Sequence, residues 1–161
     1  MLTSSRNQFK GTVKSVKKGA VNDEIVIKLP GGTELTSIIT ETSTTALGLK
    51  EGTEVIALVK SSWVILATDL EGIKLSARNQ LSGKVKEVKT GSVNSEVVVS
   101  LDGGDELVAI VTCESEKLIP YLQPVLLTKG TRSFLRDNRL YLAIKLFACG
   151  YCHRQSRTGR R

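Results

Sequence analysis

At 161 residues the chain holds one ordinary domain or two very small ones, and 40% hydrophobic with 24% charged residues is a globular composition. Only 4% of residues are aromatic, which leaves little for a base-stacking surface. The formal charge of +7 is confined to one end: residues 1–128 carry 14 Lys+Arg against 15 Asp+Glu, and residues 129–161 carry 9 against the single acid Asp137. A basic tail on a balanced body is a weaker nucleic-acid signal than a basic fold.

No apolar run reaches the length of a membrane span, and MLTSSRNQFKG lacks the apolar core of a signal peptide. The expected location is therefore the cytoplasm. Cys113, Cys149 and Cys152 are an odd number, which argues against a disulfide framework.

In chain order, Phe9, Gly11 and Val13 alternate with polar residues and predict a half-buried strand entering from an Asn-Gln corner. Gly19 and Asn22 predict a turn or bulge where a positive φ is inexpensive. Glu24–Leu29 is rich in β-branched residues, Pro30-Gly31-Gly32 is a tight turn, and Glu34–Thr40 returns, which predicts a hairpin. Thr40–Leu47, polar then apolar and stopped by Gly48, predicts a short helix with a hydroxyl N-cap. Thr53–Val59 and Trp63–Ala67 predict two last strands.

The pattern then repeats with an offset of 72 residues. Over Ser4–Thr40 against Ser76–Thr112, without gaps, 21 of 37 positions are identical. Arg6-Asn7-Gln8 returns as Arg78-Asn79-Gln80, Val21-Asn22 as Val93-Asn94, and Gly31-Gly32 as Gly103-Gly104. The expected fold is all-β: two tandem small OB-like barrels, each of about five strands with one short helix. The expected boundaries are a first repeat over 1–68, a linker over 69–75, a second repeat over 76–146 that is irregular after 115, and a basic, disordered tail over 147–161. So thin a core would be marginal alone, and oligomerisation would supply the missing burial.

Enzyme chemistry finds no footing in the repeats. The single histidine, His153, lies in the tail, no nucleophile sits beside a base, and the glycine pairs carry no Walker lysine. Cys149-Gly150-Tyr151-Cys152-His153 has the spacing of a haem-attachment motif, but without an export signal or any methionine beyond Met1. A structural zinc site would need a second Cys/His pair. No catalytic cofactor is expected.

What the repeats share is a set of short donors: Ser4 and Arg6 with Ser76 and Arg78, and Thr40 and Ser43 with Thr112 and Ser115. Lys60-Ser61-Ser62 closes a strand of the first repeat. A tetrahedral dianion offers only acceptors, so hydroxyls, backbone N–H groups and one or two cations would suit it. The lack of a carboxylate among these residues fits, since it would repel such a ligand. Plainer readings stand beside this one: a hydrogen-bonded corner at Ser-x-Arg-Asn-Gln, helix caps at Thr40 and Thr112, and a solvated charge at Lys60.

Ser76-Ala77-Arg78-Asn79-Gln80-Leu81-Ser82-Gly83-Lys84-Val85, with Gly91-Ser92-Val93-Asn94-Ser95-Glu96-Val97 after it, resembles the opening of the Mop (molybdopterin-binding, TOBE) domain family. The first repeat resembles it through Ala67, including Leu47-Gly48-Leu49, Gly52 and Ala57-Leu58-Val59-Lys60-Ser61-Ser62. Two copies in one chain resemble the di-Mop molybdate-binding proteins, the molbindins, and also the sensor half of molybdate-responsive regulators. With three residues ahead of the first motif, no helix-turn-helix is expected in this chain.

The resemblance implies molybdate or tungstate as the bound ligand, held at subunit interfaces of a homotrimer. It further implies one class of oxyanion site built from Ser4, the Ser5 backbone, Arg6, Thr40, Ser43, Lys60 and Ser61. A second would be built from Ser76, the Ala77 backbone, Arg78, Thr112 and Ser115. The second counterpart of Lys60 is open: the offset lands on Arg132-Ser133, while Ala143-Ile144-Lys145 matches the local pattern. Molybdenum storage or homeostasis is the implied role. A polyanion-binding small barrel acting through its basic tail is the alternative.

Overall fold

The computed structural model describes residues 3–67, 76–118 and 140–144. Among these, strands β1 (Asn7–Lys17), β2 (Asn22–Lys28) and β3 (Glu34–Thr40) are followed by helix α1 (Glu41–Ala46) and β4 (Glu54–Val59). A 3₁₀ turn over Ser61–Trp63 then leads into β5 (Val64–Ala67). The second repeat gives β6 (Asn79–Thr90), β7 (Asn94–Leu101), β8 (Glu106–Thr112), α2 (Cys113–Leu118) and β9 (Leu140–Ile144). The chain is mostly β, as the two-residue periodicity predicts. The linker over 69–75, the segment 119–139 and the tail with Cys149, Cys152 and His153 lie outside the described residues.

Two compact units form. One is Gln8–Leu58; the other gathers the described residues up to Asn7 and from Val59 onward. The first unit holds a sheet in the order β3-β2-β1-β4, all from the first repeat. Its inward positions alternate strictly: Phe9 and Val13 on β1, Ile25 and Ile27 on β2, Leu35 and Ile39 on β3, Val55, Ala57 and Val59 on β4. Apart from the small Ala57, each such side chain removed from water contributes about 1.5–3 kcal/mol before entropy is counted. The β1–β2 register shifts between Val13 and Ser15, and the β6–β7 register shifts between Val85 and Glu87, the same place one repeat on. A bulge there bends the long first strand of each repeat, which curls the sheet toward a barrel.

The second unit holds the order β5-β9-β6-β7-β8. Strand β9 lies beside β6 as β4 lies beside β1, so the sheet order aligns Leu140–Ile144 with Glu54–Val59. The fifth strand departs from the simplest reading of the repeat. Val64–Ala67, the last strand of the first repeat, pairs antiparallel with β9 and extends the second repeat's sheet. Periodicity showed that these residues form a strand; it carries no information on which edge the strand joins. With β5 on its edge the second sheet has five strands, the number expected of each small barrel.

Two local expectations are refined. Gly48, at φ +61°, ends α1 in the left-handed region, as the glycine stop predicts. Gly19 does not have a positive φ, and the reason for glycine there is proximity: a Cβ would stand 2.2 Å from the Asn22 carbonyl oxygen. Gly91 repeats this against Asn94 at 2.5 Å. No helix among the described residues is long and apolar enough to cross a membrane.

Candidate functional site

The N-terminal segment is tied to the end of β4. The Ser5 hydroxyl lies 2.9 Å from the Val59 carbonyl and 3.0 Å from the Asn7 carbonyl, able to donate to either. One residue beyond Ser5 and two beyond Val59, the Arg6 guanidinium stands over Ser61, with Nη1 3.5 Å from Oγ. Two stretches 55 residues apart in the chain therefore place a guanidinium and a buried hydroxyl together. Lys60 is exposed at the head of the 3₁₀ turn, and Ser4 is exposed ahead of β1.

Asn7 explains the corner. Its side-chain amide donates to the Val108 carbonyl at 2.8 Å and accepts from the Val108 N–H at 2.7 Å. Val108 sits on β8 opposite Val98 of β7, so Asn7 acts as a single added peptide on the far side of β8. At 3% exposure, Asn7 holds both bonds out of competition with water. The corner reading of this motif holds for Asn7, and its neighbour Arg6 is left to meet Ser61.

The threonine–serine pairs take the same geometry in both repeats. Thr40 Oγ1 accepts from the Ser43 N–H at 3.1 Å and lies 2.8 Å from Ser43 Oγ. Thr112 Oγ1 accepts from the Ser115 N–H at 3.2 Å and lies 2.9 Å from Ser115 Oγ. Both threonines are thus helix caps, the plainer of the two readings. Capping does not exhaust them. Two hydroxyls carry two protons, and the contact between them uses one, so each pair retains a proton to donate outward. Thr40 and Thr112 are exposed, which leaves that proton open to an acceptor-only ligand.

Each helix is pinned beneath its pair by a buried carboxylate, and the two repeats place it differently. In the first, Asp23 on β2 is fully buried and accepts from the Gly19 N–H at 3.1 Å, with the Thr44 hydroxyl of α1 beside it and Lys18 Nζ at 3.3 Å. Burial pushes its pKa up, but the Gly19 amide, the Thr44 hydroxyl and Lys18 more than offset this and hold it below the ordinary 3.8. In the second, serine stands at the strand position and glutamate at the helix position. Glu116 accepts from the Ser95 hydroxyl and from Thr90 Oγ1, the latter at 2.9 Å. Hydroxyl and carboxylate have exchanged places, and a carboxylate still faces a hydroxyl between strand and helix. Cys113, next to Thr112, turns its thiol to the Gly91 carbonyl at 3.3 Å.

One expectation needs correction. A carboxylate does stand among the donors: Glu96 Oε2 is 3.4 Å from Arg6 Nε. Reading along the sequence missed it because Glu96 is distant from Arg6 in the chain. The available signal was its recurrence, since Glu24 and Glu96 occupy the same place in the two repeats.

Ser76, Ala77 and Arg78 precede β6 as Ser4, Ser5 and Arg6 precede β1, and Gln80 Nε2 donates to the Ala77 carbonyl at 3.0 Å. Both candidates for the counterpart of Lys60, Arg132 and Lys145, lie outside the described residues. A cavity of about 520 Å³ opens elsewhere, lined by Lys10, Thr12, Leu29, Pro30, Glu54 and Val55 among others. It contains none of the candidate oxyanion donors named above. Lys10, Lys28 and Glu54 stand among its apolar lining, and its volume is far larger than a single small oxyanion needs.

The TOBE domain family model matches residues 3–66 and 75–118. A molybdenum transport protein, ModE, of Azotobacter vinelandii is 44% identical over 144 residues, covering 89% of this chain and 52% of that protein. A molybdenum-pterin-binding protein, MopA, of Rhodobacter capsulatus is 42% identical over 112 residues, 70% of this chain and 42% of that protein. The chain thus spans about half the length of these relatives or less. Among solved structures, the cytoplasmic molybdate-binding protein ModG with molybdate bound matches with a TM-score of 0.78 at 42% identity, over 92% of this chain and 96% of that one. The chain belongs to the TOBE-domain family, whose pattern it carries twice.

Proposed function

We propose that this chain binds molybdate or tungstate as the intact oxyanion, at interfaces between copies of itself, and serves molybdenum storage or homeostasis in the cytoplasm. The observation that carries the reading is the duplicated Thr–Ser pair, with hydroxyls 2.8 and 2.9 Å apart, in a chain that superposes almost end to end on a molybdate-bound protein. An anion without protons is matched by groups able to donate: the outward hydroxyl protons of Thr40–Ser43 and Thr112–Ser115, the Arg6 and Arg78 guanidiniums, Lys60, Ser61, Ser4, Ser76 and the backbone at Ser5 and Ala77. No step of bond making is assigned to these residues, and the matched relatives are named for binding and transport.

A homotrimer is the proposed assembly. Val21 and Val93, one repeat apart, are 71% and 70% exposed, at turns whose carbonyls accept from the first N–H of α1 and α2. A valine so exposed at both equivalent positions fits burial against another copy. Sulfate carries the same charge, so preference for the larger oxyanion would come from the spacing of fixed donors.

Calorimetric titration with molybdate in excess sulfate, with the oligomer mass recorded alongside, tests the reading. Sulfate-resistant binding to a trimer is expected. A folded oligomer that gives no heat with molybdate overturns it.

A further inference from the structure

The contact between Arg6 and Glu96 is out of place in a site for a dianion, and its surroundings give it a use. Arg6 makes two long contacts, Nε to Glu96 Oε2 at 3.4 Å and Nη1 to Ser61 Oγ at 3.5 Å, with its side chain 53% exposed. A partly exposed pair of that length is weak and easily surrendered. Glu96 has a second cation in reach. Lys89, its cross-strand partner between β6 and β7, stands with Nζ 3.8 Å from Glu96 Oε1 and 3.5 Å from Glu87 Oε2. Glu96 can therefore lose Arg6 without being left unpaired.

The same residue types recur in the other half: Arg78 for Arg6, Glu24 for Glu96, and Lys17 for Lys89, with Lys17 and Glu24 again cross-strand partners. The repeats differ at 16 of the 37 aligned positions, so this set persisted where many others did not.

We propose that Glu96 is a resident counter-ion of Arg6 which the incoming oxyanion displaces, Lys89 taking over the carboxylate as Arg6 turns to the ligand. The inference rests on the oxyanion reading above and adds to it a residue that sets affinity without touching the anion. Glu96 opposes binding twice: it occupies one edge of the guanidinium, and it places a negative charge beside a dianion. Its presence keeps the anion releasable, which suits storage and delivery better than permanent capture.

The test is molybdate titration of the full chain and its Glu96→Gln and Lys89→Met variants, the first repeated in an Arg6→Ala background. Glu96 is a partly exposed strand residue and glutamine is isosteric, so the fold should survive, and circular dichroism checks this. E96Q should bind about three- to tenfold more tightly. K89M, which leaves Glu96 to Arg6 alone, should bind more weakly. The E96Q gain should vanish once Arg6 is alanine, a coupling that a merely structural role would not produce. E96Q affinity equal to or below that of the unaltered chain overturns the inference while leaving the oxyanion reading intact. Absence of binding in both overturns the two together.

Discussion

Asp23 shows how one buried side chain can be both costly and indispensable. Removing a carboxylate from water opposes ionisation, yet the Gly19 amide, the Thr44 hydroxyl and the Lys18 ammonium all favour the charged form. The balance lowers its pKa, and the sign of the pH effect follows. A group whose folded pKa lies below its unfolded value stabilises the fold above the unfolded value, here near 3.8. That stability is lost as pH falls through the lower folded value. In denaturant unfolding, Asp23→Asn should be less stable than the unaltered chain at pH 6, with the gap closing as the pH is taken below 4. A gap independent of pH would mean that the role of Asp23 lies in shape rather than charge.

At the scale of elements, the exchange of carboxylate and hydroxyl between β2–α1 and β7–α2 makes a test of coupling. Ser95→Asp alone would set two carboxylates together beside Thr90, and Glu116→Thr alone would remove the acceptor that Ser95 and Thr90 share. Each should destabilise the chain by about 1–3 kcal/mol. The double variant S95D/E116T rebuilds the Asp23–Thr44 arrangement and should recover most of the loss in thermal or denaturant unfolding. Additive losses would show that the two positions do not act as a pair.

This exchange also marks the limit of what was legible beforehand. Strand periodicity at Glu24–Leu29 and Glu34–Thr40, the cap at Thr40 and the stop at Gly48 were readable because each depends on neighbours a few residues away. The grip of Asn7 on Val108, the meeting of Arg6 with Ser61 and Glu96, and the edge joined by β5 depend on partners tens of residues distant. Local chemistry has no term for them. Only the duplication hinted at them, by repeating Asn, Arg and Glu in register.

At the scale of the whole molecule, anion binding and assembly are expected to be one equilibrium. A site completed by a second copy is populated only when the copies meet, and ligand in turn favours the assembled form by mass action. Val21 and Val93 test this without touching a proposed donor, because each contributes its carbonyl to the turn while its exposed side chain lies outside the core. The double variant V21E/V93E should keep its strand signature, since neither side chain fills the interior. Like charges brought together at a contact should lower the oligomer mass toward that of the monomer, and weaken molybdate affinity by at least about tenfold, or 1.4 kcal/mol. Adding saturating molybdate should partly restore the mass, since the ligand works against the repulsion. Sedimentation with and without molybdate reads both effects. If the mass holds and the affinity is unchanged, the valine turns lie outside the interface; if the mass falls while affinity is kept, the anion site is complete within one chain.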